Sequence, residues 1–291
     1  MAEWPDTERQ AIEHWLDDLV TENRFTIAVV FPVVGAVSLY ASAMGWLPSL
    51  LTFNPWFILA GVVVMRLPLV AGLAPLLDRK ATVALGIVTA YAYGIELLGV
   101  ATGWPYGAFE YGVSLGPMLL DAVPVGLPVF FFPLVLNSYL LCLLLLGERT
   151  HNPLVRLPAV IATVLLMDLV LDPAAVSLGF WAYDAGGAYY GVPWSNYAGW
   201  VLSATVASIC FDVAFEWSSL RARLKRCAFM LDDLVSFVIL WGAINAAFGN
   251  WIPLAVSLGL GAALLWTDRF DFDVRDTVPG LARWRSPDSP K

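Results

Sequence analysis

Three acidic residues stand where acids are costly. Glu96, Asp168 and Asp172 lie inside long apolar runs, close to the ends of those runs. An ionisable side chain in such a run is a functional candidate by default. Asp168 and Asp172 sit at i,i+4 and share a helix face. Pro173 removes a backbone donor beside Asp172 and loosens that turn. A carboxyl group kept from water holds its proton more readily, and two in different surroundings divide into an acid and a base. Glu96 and Asp172 are the expected acid–base pair, with Asp168 as a third catalytic carboxyl. Arg66, the only basic residue deep in an apolar run, is the expected ionic partner that tunes them. The competing reading is a buried ion pair that only fixes helix packing.

Two uncharged or nearly uncharged aromatic loops stand directly above these acids. The first, TGWPYGAFEYG from Thr102 to Gly112, supplies Trp104, Tyr106, Phe109, Glu110 and Tyr111. The second runs from Phe180 to Trp200 and supplies Trp181, Tyr183, Tyr189, Tyr190, Trp194, Asn196 and Tyr197. Interfacial aromatic belts account for many such residues. They do not account for Gly107, Gly112, Gly186, Gly187 and Gly191, which let the loops fold back, or for Asn196 at the entrance to a run. Aromatic faces stabilise a developing cation. Carboxyl groups under aromatic rings suit protonation of an isoprenoid double bond, giving a tertiary carbocation that adds water or closes a ring. Trp104, Tyr106, Tyr190 and Trp194 are expected to shield the cation and Asn196 to hold the water. Glu110, Tyr111, Trp181 and Tyr183 complete the expected substrate contacts.

The elements that must position these residues are membrane helices. Of 291 residues, 59% are hydrophobic and 14% charged, and the mean hydropathy is +0.72. Runs of about 20 apolar residues read as spanning helices. The alternating ten-residue pattern of a membrane β-barrel is absent. The fold class is therefore all-α, a polytopic bundle of about eight transmembrane helices. The expected spans are 25–45, 53–77, 81–101, 124–146, 157–178, 198–218, 229–249 and 251–268. The last follows a tight turn, so a count of seven stays open. Residues 1–24 read as an acidic amphipathic segment, on the membrane or docked to the bundle, and 269–291 as a disordered tail. Thr7 to Gln10 forms a capping box at the start of that segment.

Basic residues set the orientation. Connections near 78–80, 147–156 and 219–228 carry Arg and Lys, whereas those near 46–52, 102–123, 179–197 and 250 carry none. Both termini are then cytoplasmic, in a multi-pass protein of the cell membrane, with the aromatic loops outside. An internal repeat emerges from the same frame. Glu96 precedes Gly103–Trp104 by seven residues, and Asp172 precedes Gly179–Phe180 by seven; the loops end at Val123–Pro124 and Val192–Pro193. Helix pairs 3–4 and 5–6 read as parallel copies, with Glu96 and Asp172 about 10 Å below the helix ends.

Several classes of function are excluded. A net charge of −8 does not suit a nucleic-acid binder. His14 and His151 lie outside the runs, so no histidine metal centre forms inside them, and no metal is expected. Cys142, Cys210 and Cys227 are scattered and make neither a disulfide framework nor a zinc site. The start of the chain is acidic, unlike a cleavable signal peptide. Seven acids precede Asn23 and five follow Thr267, a pattern that fits a salt-loving source or ordinary solvated tails.

The stretches ELLGVATGWPYGAFEY from Glu96, LDPAAVSLGFW from Leu171 and YYGVPWSNYAGW from Tyr189 resemble the integral-membrane hydratases of carotenoid biosynthesis. The likeness is strongest over spans three to six. The resemblance implies cofactor-independent addition of water to terminal double bonds of a long acyclic carotenoid, for haloarchaeal members in the bacterioruberin pathway. It implies a carotenoid and the bilayer as partners, with other enzymes of the pathway as further ones. A cyclase, a proton-coupled transporter and a carotenoid-binding protein are the alternatives.

Overall fold

The computed structural model describes residues 6–272, and it is helical almost throughout. The part of the expected tail from 273 to 291 lies outside the described residues. Helix α1 (Asp6–Phe25) continues through a π-turn (Thr26–Val30) into α2 (Phe31–Ala43), with a kink at Asn23. The acidic segment and the first span are thus one helix, Thr7–Ala43. Its amphipathic start is docked: Asp17 accepts from Arg223 at 2.9 Å, and Arg9 donates to the Ala74 carbonyl at 3.2 Å.

The remaining apolar helices are α3 (Pro55–Leu73), α4 (Arg79–Thr102), α5 (Leu127–Leu145), α6 (Pro153–Leu178) and α7 (Trp194–Ala214). After the short basic α8 (Trp217–Arg226) come α9 (Asp232–Phe248) and α10 (Trp251–Trp266). Among the described residues seven helices are long and apolar enough to cross a membrane. The eighth, α10, has 16 residues, about 24 Å, slightly short of a hydrocarbon core of about 30 Å. Asn54, Asp78 and Asn152 cap α3, α4 and α6 by accepting backbone N–H groups.

Two helices form the centre. In the α9 span 78% of residues are buried and in α5 67%, against 28% in α4. The outer helices expose Val33, Val37, Val63, Val83 and Ile87, the surface lipid requires of a multi-pass protein. Packing between the two expected copies is alike, α4 on α7 and α6 on α5, but within them it differs, since α6 packs closely on α7 and α4 only loosely on α5. Strands β1 (Phe109–Tyr111) and β4 (Trp181–Tyr183), which follow α4 and α6, pair antiparallel with Tyr111 opposite Trp181. Parallel helices with antiparallel in-plane strands are what a two-fold axis along the helices produces. A second small ladder, β2 (Met118–Leu119) with β3 (Val123–Pro124), closes the first loop.

Prolines inside the helices free carbonyls, and side chains answer two of them. Pro133 leaves the Val129 carbonyl without its intrahelical donor, and Arg66 Nε supplies one at 3.2 Å. Pro173 frees the Leu169 carbonyl, which accepts from the Tyr189 hydroxyl at 3.3 Å.

The ion pairs correct one expectation. Arg66 does not reach Glu96, Asp168 or Asp172; it pairs with Asp233 of α9, whose other oxygen accepts from Asn137 at 2.7 Å. Asp232 and Asp233 are fully buried, and Asp232 is bound by Arg24 at 2.6 Å. Asp212 pairs with Arg156 at 2.6 Å and accepts from Tyr139. Helix crossing, not nearness along the chain, selects these partners.

Candidate active site

At the loop end of the bundle, α4, α5, α6, α7 and α9 surround a cavity of about 110 Å³ roofed by the β1–β4 ladder. Glu96 of α4 and Asp172 of α6 both line it. The convergence follows from the repeat, since each acid sits seven residues before a left-handed glycine cap, Gly103 (φ 73°) and Gly179 (φ 74°).

Each acid receives a phenol from the strand of its own copy. Tyr111 donates to Glu96 Oε1 at 2.5 Å, and Tyr183 donates to Asp172 Oδ2 at 3.2 Å. Burial first, and the neighbouring carboxyl groups second, hold both phenols well above their ordinary range, so they stay donors. The ladder places both rings under one roof because Tyr111 and Tyr183 sit diagonally on its same face. Gly112 makes the closure feasible: a Cβ there would lie 2.4 Å from the Gly179 carbonyl oxygen.

Asn196, in the first turn of α7, is buried and donates through Nδ2 to Asp172 Oδ2 and, at 3.1 Å, to Asp168 Oδ2. Asn196 therefore holds two carboxyl groups, whereas the sequence reading had it holding water. Asp168 is fully buried behind Asp172 and does not line the cavity; among the described residues its Oδ1 has no partner, nor does the buried hydroxyl of Tyr197.

The walls are aromatic. Phe131 stacks on Trp200 with centroids 5.5 Å apart, and Phe109 meets Tyr183 at 5.9 Å. Tyr106 is wedged between Gly99 and Gly199, its hydroxyl 2.7 Å from Ser203 Oγ, which also meets Tyr91 at 3.1 Å. A Cβ on Gly199 would stand 2.4 Å from Tyr106 Cδ1. Gly199→Ala is expected to cost about 1–3 kcal/mol by overpacking and to lower activity by displacing Tyr106. A melting curve in detergent beside a product assay checks this; an unchanged variant would show that the wedge is soft.

Of the expected substrate contacts, the cavity gathers Tyr106, Tyr111, Trp181, Tyr183 and Asn196. It leaves out Arg66, Trp104, Glu110, Tyr190 and Trp194. Trp104 and Trp194 are 57% and 66% exposed, as belt residues would be. Glu110 faces outward on β1, because Phe109 and Tyr111 take the inner face of the strand. Tyr190 accepts from the Ile252 backbone N–H at 3.3 Å and braces α10. The sequence reading missed Phe130, Phe131, Leu134 and Trp241. No local signal marks them among the many apolar residues of α5 and α9.

Fold and site together define a polytopic membrane protein with two carboxyl groups, each with a phenol donor, meeting in a small aromatic chamber. The sequence model of the family described as "Carotenoid biosynthesis protein" matches residues 53–264, and the chain belongs to that family. It is 62% identical over 287 residues, 98% of this chain and 97% of the relative, to the bisanhydrobacterioruberin hydratase of Haloarcula japonica. No solved structure matches the chain.

Proposed function

We propose that this protein is a carotenoid hydratase that adds water to terminal double bonds of a long acyclic carotenoid, converting bisanhydrobacterioruberin to bacterioruberin. The observation that carries the reading is the meeting of Glu96 and Asp172 in one aromatic cavity. The similarity over nearly the whole chain to a relative of that name supplies the substrate.

One carboxyl group gives a proton to the less substituted alkene carbon, and the positive charge develops on the tertiary carbon. The faces of Phe131, Trp200, Phe109 and Tyr106 lie around it and stabilise it. Water adds to the cation, the second carboxylate takes the surplus proton, and a tertiary alcohol results. General acid–base groups so placed contribute about 10²- to 10⁴-fold each.

The basic connections between helices support a cell-membrane orientation with both termini cytoplasmic and the cavity near the outer surface. In that arrangement a bilayer-spanning carotenoid presents its end group at the depth of the two acids. Residues 25–268 are the catalytic bundle and 1–24 a docked cytoplasmic extension of it. Other carotenoid enzymes are natural neighbours for a substrate that never leaves the bilayer.

The test is pigment analysis. Cells that accumulate the acyclic substrate and express this chain are expected to yield carotenoid heavier by one or two waters. An isomeric product would point to a cyclase instead. Pigment unchanged beside abundant membrane protein would defeat the enzymatic reading.

A further inference from the structure

The two cavity acids come from matching places in the repeat, yet their surroundings do not match. Asp168 stands four residues before Asp172, and the residue four before Glu96 is Ala92. Asn196 stands four residues after Val192, and the residue four after Val123 is Leu127. The α6–α7 copy thus carries a polar pair where the α4–α5 copy carries two apolar side chains. Ala92 is buried and Leu127 lines the cavity.

Hydrogen bonding follows the same division. Asp172 Oδ2 takes donors from both Tyr183 and Asn196, and the amide of Asn196 also binds Asp168. Glu96 takes one, from Tyr111 on Oε1. Among the described residues no side chain donates to the other oxygen of either acid, so the difference lies in the number of donors, two against one. A carboxylate that must hold negative charge gathers donors, whereas an acid that must hand on a proton has fewer. Environments that drive two carboxyl groups apart assign acid and base.

We infer that Glu96 is the proton donor to the alkene, and that Asp172 is the base that takes water's proton. Asn196 and Asp168 are positioning residues for that base. The assignment rests on the hydratase reading and divides its chemistry into two separable halves. In the first, the Glu96 carboxyl O–H breaks and a C–H bond forms from the alkene π electrons, leaving a tertiary cation and a carboxylate. In the second, a water oxygen bonds to the cation and its surplus proton passes to Asp172. Transfer of that proton back to Glu96 closes the cycle, with the sum alkene plus water giving alcohol.

The halves are separated by isotope exchange in D₂O. A variant lacking only the base still makes the cation; when the protonated carbon turns and returns to Glu96 a hydrogen it already carried, in place of the deuteron just added, recovered substrate gains deuterium without gaining water. Asp172→Asn and Asn196→Leu are expected to lose hydration by at least about 100-fold while unhydrated carotenoid gains mass in one-dalton steps. Glu96→Gln is expected to lose both. Asn196→Leu copies the apolar half of the repeat and serves where Asp172→Asn does not accumulate. A purely structural role for Asn196 would lower exchange and hydration in proportion, so their ratio is the readout. Exchange in Glu96→Gln but not Asp172→Asn would reverse the roles and overturn the proposal. Exchange in none of the variants would overturn it too, since protonation would then need both acids. Wild-type protein that leaves the pigment unhydrated and undeuterated would remove the hydratase reading itself.

Discussion

Membranes carrying Glu96→Gln or Asp172→Asn are expected to make hydrated carotenoid about 10²- to 10⁴-fold more slowly than wild type, with protein levels unchanged. At about 1.4 kcal/mol per decade this is a loss of roughly 3–5 kcal/mol of transition-state stabilisation. Both changes are nearly isosteric, and each leaves an oxygen that can accept from Tyr111 or Tyr183, the donors present now. Packing of α4 and α6 should therefore survive while the exchangeable proton is lost. Product mass per unit of membrane protein, measured for each single variant, decides the matter. Full activity in both would show that the cavity acids do no chemistry.

The second large effect is on stability. Arg66→Met is expected to destabilise the protein by about 3–5 kcal/mol, because it strands Asp233 without its cation. Asp233 is fully buried, and the Arg66 side chain keeps only 13% of its surface. The substitution also removes the donor that satisfies the Val129 carbonyl above Pro133. Melting in detergent would show the loss. The double variant Arg66→Met with Asp233→Asn should recover part of it, since no unpaired charge then remains, although the Val129 carbonyl stays unserved. A single variant melting within a degree of wild type would show that water reaches the pair. Arg66 touches neither Glu96 nor Asp172, so the folded fraction should keep its turnover at low temperature.

The seven long helices and the shorter eighth were legible because membrane insertion is read from hydropathy and length alone. The start of α7 at Trp194 rather than near residue 198 was not, because aromatic and polar residues at an interface weaken the signal where the helix already exists. The match of Glu96 with Asp172 was also legible, since the spacing to a glycine cap is a local property of each copy. Their convergence on one cavity follows once the copies pack about a common axis.

What the amino-acid sequence determined by itself is the set of spans, the two loops between them and the depth of the acids. Each depends on a stretch of chain no longer than a helix. Tertiary structure alone decided which polar groups meet. It drew Arg66 to Asp233, set Asn196 between Asp168 and Asp172, and turned Glu110, Trp104 and Trp194 away from the cavity. The physical reason lies in the helices, which are apolar nearly all round. Hydropathy then says that a helix crosses the membrane but not which face it turns inward. That rotation is set by close packing, by carbonyls freed at Pro133 and Pro173, and by a two-strand ladder joining residues some seventy positions apart.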